Sequence, residues 1–475
     1  MIIQGISMYY SYKTALSRSQ MLSAWLIAVL PLCLNASHSM LDTKNNCEIY
    51  APSSNFKSIS WSGACIENKG SGEGVLTLTL QDRNEETFTG KLTSGKINGS
   101  GQYNFANRSI YVGDFVDGVR TGKGKYSLID GSFYEGDFVD GKQTGNGKFV
   151  WSNGDKYEGN FVEGKRTGRG EFFWSNGDVY SGDFVDGKQT GKGKFVLVNG
   201  DTYEGEYQDG AQTGKGIFIY ADKSRFEGSF KDGKPVGKSK YTWENGNSFE
   251  GDLSDGIQNG KGIMTYTNGS KYFGDFQDGL QTGVGMLVNS DKSYYEGEYS
   301  KGVQHGRGTF VYSDGSIYEG GFVDGVQSGK GRLKFPDGIE YIGDFSNGMQ
   351  NGQGKLVFAD KSYYEGAFTN GIQNGQGKFV WPDGYAFEGM YINGSQSNDG
   401  KYTFPNGMVY IGKMVDYKKE GFGQLKVPRE LQSSEASKEG FWEGNFFVYQ
   451  GLFQNDIFIA GCKKASDCKV PAIKK

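Results

Sequence analysis

Two histidines, five cysteines and many carboxylates are the side chains that could carry covalent, acid–base or metal chemistry in this chain of 475 residues. His38 follows an apolar leader and His305 sits inside a repeated segment, so neither has the partners of a nucleophile triad or of a histidine-bearing metal site. Paired carboxylates such as Glu135 and Asp137 recur at a fixed interval, whereas a catalytic pair is a singular departure from its surroundings. The stretches Lys123 to Lys125 and Lys192 to Lys194 lack the helix and the Gly-Lys-Ser/Thr context of a phosphate loop. Segments 37–60 and 462–475, outside the repeats, are too short to fold as catalytic domains. These readings predict a protein that is not an enzyme and that needs no metal or cofactor. Four cysteines flank the regular region: Cys47 and Cys65 before it, Cys462 and Cys468 after it. Their even number in an exported context predicts two disulfides, Cys47 to Cys65 and Cys462 to Cys468, as staples at the ends. A four-cysteine zinc site is the competing arrangement, and it lacks any Cys-x-x-Cys spacing. Stacking chemistry is the remaining option. Trp151, Trp174, Trp243 and Trp381 recur beside Asn and Asp, as platforms for a sugar ring would.

A period of 23 residues positions all of these groups. Steps of 23 from Phe88 reach Tyr111, Tyr134, Tyr157 and onward to Phe387, fourteen copies over 88–409 without an insertion or deletion. Divergent copies extend the array to 61–461: one opens at Trp61, another at Tyr410, and a truncated one at Tyr449. The first position is Tyr or Phe, the third and eighth are Gly, and the fifth is aromatic or Leu. The twelfth and fourteenth are Gly, except at Asn398 and Ser239. In the copy from Tyr134, residues Tyr134, Gly136 and Phe138 alternate with Glu135, Asp137 and Val139, the pattern of a strand with one aromatic face. Gly145 to Trp151 reads as a second strand, and Asp140-Gly141 as the two-residue turn of a hairpin. A two-residue turn sets Tyr134 opposite Gly147 and Gly136 opposite Gly145, with each ring across a glycine backbone. The same register pairs Glu158 with Arg169, Glu204 with Lys215, Glu227 with Lys238, Glu250 with Lys261, Glu296 with Arg307 and Glu319 with Lys330 on the solvated face.

Because 23 is odd, two two-residue turns per copy would invert the aromatic face each time. The second connection is therefore predicted to be a three-residue loop, such as Ser152-Asn153-Gly154, with Gly154 left-handed. Lys223, Lys292 and Lys361 replace that glycine, so strain or another loop is expected there. The predicted fold is all-β: an elongated, single-layer antiparallel meander of tandem 23-residue β-hairpins, a twisted ribbon of up to about 150 Å.

The first 36 residues read as a signal peptide, with Lys13 and Arg18 before the apolar run Met21 to Leu34 and small residues after it. An uncleaved membrane anchor is the alternative, and either Met1 or Met8 could open the chain. The expected location is exported, periplasmic or extracellular. A cap segment at 37–60 and a basic tail at 462–475, with Lys463, Lys464, Lys469, Lys474 and Lys475, complete the chain. Net charge is −4, and removal of the two basic residues of the leader makes it more negative, which argues against nucleic acid as a partner.

The motif Tyr-x-Gly-x-aromatic, x-x-Gly, Gly-x-Gly, as in "YEGDFVDGKQTGKGKF", resembles the MORN repeat (membrane occupation and recognition nexus). The family often has His before Gly-x-Gly, where this chain has mostly Thr or Asn and only His305. The resemblance implies an extended hairpin array used for scaffolding, tethering, dimerisation and, in some members, membrane association. The stretch "WSGACIENKGSGEG" also resembles the opening copy of exported bacterial proteins of this type, which supports the disulfide from Cys47. The expected function is an exported scaffold in the cell envelope that binds protein partners or itself as a homodimer. The alternative is recognition of an envelope glycan or a lipid surface through the aromatic face.

Overall fold

The computed structural model describes residues 38–51, 55–432 and 439–468. The predicted leader and the terminal lysines Lys469, Lys474 and Lys475 lie outside them. The described chain is almost entirely antiparallel strand, two per copy, each paired with its predecessor and its successor. It falls into two units, the first ending at Gly260 and the second starting at Lys261.

One copy shows how the sequence dictates the hairpin. Strands Phe133–Val139 and Lys142–Val150 are joined by Asp140 and Gly141, both with positive φ (50° and 75°), the mirror-image turn that matches strand twist. Val139 faces Lys142, and pairing runs regularly to Asp137 opposite Thr144. There the register departs from the expectation. Gly136 faces Gly147 and Tyr134 faces Phe149, because a bulge takes up Gly145 and Asn146 on the second strand. Gly145 is left-handed, φ 59°, and the bulge turns the Asp137 and Thr144 carbonyls toward the Tyr134 ring. The Tyr134 hydroxyl donates to both of them, at 3.1 and 3.3 Å. A shift of two residues keeps every side chain on its face, so the aromatic face survives the correction. The ring still lies across glycine: a Cβ built on Gly136 or Gly147 would overlap it.

The corrected register also moves the charge pairs. Within their own hairpins Glu158 faces Glu171, Glu204 faces Ile217, Glu227 faces Lys240, Glu296 faces Thr309 and Glu319 faces Arg332. Many ion pairs instead join one copy to the next, such as Lys123 with Asp137 at 2.6 Å, Lys148 with Glu158 at 3.5 Å and Lys330 with Asp344 at 2.7 Å. The charges mark the joint between copies more than the hairpin itself.

The second connection is the predicted three-residue loop. Trp151 N–H donates to the Asp155 carbonyl at 2.9 Å across Ser152, Asn153 and Gly154, and Gly154 has φ 90°. Lys223, Lys292 and Lys361 adopt the same loop at φ 70°, 71° and 74°, so the glycine's absence is met by strain and not by a new loop.

A single sheet buries its aromatic face by making each copy the cover of its neighbour. Tyr134 meets Phe138 of its own strand and Phe161 of the next copy, edge to face, at 5.2 and 5.0 Å. The alternation continues from Tyr111 to Phe230 in the first unit and from Tyr272 to Tyr391 in the second. Such pairs contribute about 0.5–1.5 kcal/mol each beyond area burial. Burial pushes the Tyr157 phenol up to about 12, and the Arg166 guanidinium nearby partly offsets it.

The ends reuse this geometry. Trp61 is fully buried, faces Leu76 and covers Gly63 and Gly74, and its indole N–H donates to the Ala64 carbonyl three residues on, as the Tyr134 hydroxyl does to Asp137. Cys47 is bonded to Cys65, with Cα atoms 5.8 Å apart, which ties strand Glu48–Ala51 to the first copy. At the far end Tyr449 faces Leu425 and Gly451 faces Gly423, the pairing of a copy's opening strand. Cys462 and Cys468 are bonded beyond the last strand, Ile457–Gly461, with Cα atoms 5.3 Å apart.

Candidate functional site

Each unit presents three surfaces: the aromatic face, the opposite face, and the edge formed by the two-residue turns. The aromatic face is largely self-filled. The four tryptophans are half-buried in rows of their own chain. Trp151 packs on Phe149 and Phe172 at 4.5 and 5.3 Å, and Trp174 on Phe172 and Phe195 at 4.5 and 5.2 Å. Trp243 meets Tyr241 at 4.8 Å, and Trp381 lies against Phe379 and Tyr385 at 4.4 and 5.0 Å. Residue ten of a copy fills the space between the rings. Where it is arginine, the guanidinium of Arg120 or Arg166 is surrounded by aromatic rings at 5.1–5.8 Å, and burial lowers its pKa from the ordinary arginine range.

The two units differ on this face. In the first, position sixteen is a large ring in successive copies, Tyr126, Phe149, Phe172, Phe195, Phe218 and Tyr241, all buried. In the second it is Met264, Leu287, Phe310, Leu333, Leu356 and Phe379, all half-buried, before the buried Tyr402 of the last regular copy. The glutamines at position ten follow: Gln143, Gln189 and Gln212 are buried, whereas Gln281, Gln304 and Gln327 are half-buried. Smaller side chains leave the second unit's aromatic face more open.

On the opposite face the paired glycines of successive strands form a bare lane. Gly124, Gly136, Gly147 and Gly159 stand directly opposite one another, and Lys123, Lys125, Glu135, Lys148 and Glu158 flank them around a trough of ≈ 790 Å³. Basic residues stand on one strand and acidic residues on the next, so the trough carries both signs. The paired carboxylates Glu135 and Asp137 belong to this ladder, each bonded to a lysine.

The turn edge separates the units most clearly. In both, the turn glycine of one copy donates its N–H to the carbonyl of residue ten in the copy before, as Gly164 does to Gln143 at 2.9 Å and Gly325 to Gln304 at 2.8 Å. In most copies of the first unit residue nine is lysine and adds an ion pair across the same joint, as Lys142 does with Glu163 at 3.1 Å, Lys165 with Asp186 at 3.0 Å and Lys188 with Asp209 at 3.3 Å, whereas Val119, Ala211 and Ile257 fill the position in the others. In the second unit residue nine is Leu280, Val303, Val326, Met349 and Ile372 in five successive copies before Ser395 and Lys418, and Val303 to Ile372 are 42–52% exposed. Around Met349 and Ile372 the neighbours at positions six and seven, Ser346, Asn347, Thr369 and Asn370, carry no charge, whereas Lys301 and Asp324 stand in the turns beside Val303 and Val326. Sequence reasoning missed this stripe, although the change from lysine to aliphatic at one repeat position is visible once copies are aligned. His305 lies on this edge, exposed, with Nδ1 3.8 Å from an Asp324 carboxylate oxygen in the next turn.

Among the described residues no group of three or more His, Cys, Asp or Glu could hold a metal ion, and no helix is long and apolar enough to cross a membrane.

A family model described as the MORN repeat matches fourteen consecutive segments, beginning with 88–110 and 111–133 and ending with 364–384 and 387–409. A comparison with curated proteins finds no match. Among solved structures, the chain is similar to the TCP domain of Drosophila melanogaster SAS-4 (dCPAP), in complex with a proline-rich motif of Ana2 (dSTIL). That likeness has 17% identity over 33% of this chain and 88% of the other, with a TM-score of 0.23. The G-box domain of the microcephaly protein CPAP gives 12% identity over 40% and 99%, with a TM-score of 0.27. Virginiamycin B lyase from Staphylococcus aureus gives 9% identity over 60% and 91%, with a TM-score of 0.11. At these scores the likenesses carry no argument about this chain.

Proposed function

The chain belongs to the MORN-repeat family, and from that premise we propose that it is a non-enzymatic, exported scaffold that holds protein partners in the cell envelope along the turn edge of its second unit. The observation that carries this reading is the exposed aliphatic stripe of Val303, Val326, Met349 and Ile372. Apolar side chains exposed in a row, at one repeat position after another, lower their free energy when a partner covers them. The first unit has already used the same position for ion pairs between its own copies. Export is supported by the apolar run Met21 to Leu34 behind Lys13 and Arg18, and by cysteines bonded in pairs at both ends. The periodic placement of carboxylates supports binding over catalysis.

The test is the triple variant Val326→Lys, Met349→Lys and Ile372→Lys, which gives the second unit the residue that the first unit carries. Co-purification of proteins crosslinked to the chain in the intact envelope is expected to fall at least about tenfold, about 1.4 kcal/mol. Unchanged recovery from a folded variant would remove the reading.

A further inference from the structure

The glycine-lined face departs furthest from its charge ladder at one copy of the second unit, where positions two, thirteen and fifteen are all apolar. Elsewhere positions thirteen and fifteen are mostly basic and face acidic residues of the next copy, as Lys192 faces Glu206 and Lys194 faces Glu204. In the copy opening at Tyr272 these positions are Val284 and Met286. Position two of the same copy, usually Glu, is Phe273, directly opposite Met286. Ile263 occupies position fifteen on the strand before, whose Lys261 bridges to Asp275 at 3.0 Å. Ile263, Phe273 and Val284 are 37–62% exposed, and Met286 is half-buried.

The change also strands two carboxylates. Val284 faces Glu298 and Met286 faces Glu296. Both glutamates are exposed, and among the described residues neither has an ion-pair partner. Glu298 accepts only a backbone N–H, from Arg307, at 3.0 Å. An apolar patch therefore ends in two carboxylates whose facing cations have been replaced.

We infer that this patch binds an extended segment of a partner polypeptide in which apolar residues are followed by a basic pair. The apolar residues cover Phe273, Val284 and Met286, and the basic pair supplies the charges that Glu296 and Glu298 lack. A second copy of this chain fits less well, because its own patch would bring carboxylates to carboxylates. The surface lies on the sheet face and not on the turn edge, so this inference and the proposed scaffold edge fail separately.

The probe is a fluorescent synthetic peptide, Gly-Ser-Leu-Val-Leu-Lys-Lys-Gly-Ser, with two controls: Glu-Glu in place of Lys-Lys, and Ser in place of the three apolar residues. Binding to the full chain is read by polarisation at low and high salt. The lysine peptide should bind at least about tenfold more tightly than either control. The variant Val284→Lys with Met286→Lys restores the residues that other copies carry, so it is expected to fold, and should lose that binding about tenfold or more. Glu296→Gln with Glu298→Gln should keep apolar binding but abolish discrimination between the lysine and glutamate peptides, together with the salt dependence. Equal binding of the three peptides, or wild-type binding by the double lysine variant, would overturn the inference. Sedimentation that shows wild-type dimers and monomeric double-lysine variant would overturn it as well, by making the occupant a second copy.

Discussion

The two units are written in the same repeat yet differ in what they do with one position. In most copies of the first, lysine at residue nine closes the joint to the next copy through an ion pair, and large rings at position sixteen bury the glutamines. In the second, aliphatic residues stand exposed at the same joint, and Met or Leu often replaces the ring. The hairpin, its turn, its loop and its tyrosine over glycine are common to both. Construction is thus carried by positions that both units share, while the recognition proposed for the second unit falls on a different position of the same 23-residue text.

The comparison can be stressed first where the units agree. Burial holds Tyr157 in the first unit, and Tyr318 and Tyr341 in the second, up to about 12. A raised phenol pKa contributes stability that is full below the unfolded value near 10 and is lost as pH climbs through the folded value. Both units are expected to unfold cooperatively between about pH 10 and 12, read by circular dichroism together with the ultraviolet absorbance of phenolate. Ordinary titration near pH 10 in a folded chain would break the claim that the tyrosines are structural.

The glycine lane should be equally intolerant in both units. Gly147→Val would drive a side chain into the Tyr134 ring, and Gly331→Val into that of Tyr318. Each is expected to cost about 3 kcal/mol, measured by urea unfolding. A large difference between the two would show that the units do not share their internal construction.

Smaller effects sharpen the comparison. Tyr157→Phe and Tyr318→Phe remove hydroxyls that donate to the carbonyls of Asn160 and Gly321, at 3.1 and 3.0 Å. Each should lose about 1 kcal/mol, and Phe226 shows that the ring alone suffices to build a copy. Lys223→Gly and Lys361→Gly relieve left-handed backbone and should gain about 0.5–1 kcal/mol in either unit. A loss from either glycine variant would mean that the lysine side chain holds the loop.

The sequence makes most of this fold legible because period, turn and face are properties of spacing. Asp140-Gly141 and Ser152-Asn153-Gly154 form the two connections that the odd period requires. The bulge at Gly145 and Asn146 was not legible, since a two-residue shift leaves Tyr134, Gly136 and Phe138 on the same face and so leaves no trace in the pattern. With it went the pairing of Glu158 with Arg169: Glu158 bridges to Lys148 and Lys156, and Arg169 to Asp183 of the next copy. The candidate surfaces were written in the sequence as departures at Val303 to Ile372 and at Phe273, Val284 and Met286. Only the three-dimensional register shows that the first group is exposed at a joint and that the second strands Glu296 and Glu298.

The most direct measurement is a scan with a photo-crosslinking amino acid at residue nine of successive copies, in cells that make the protein. Lys142, Lys165 and Lys188 represent the first unit, and Val303, Val326, Met349 and Ile372 the second. The account predicts protein adducts from the second set and none above background from the first. Adducts spread evenly over both sets, or confined to the first, would contradict it.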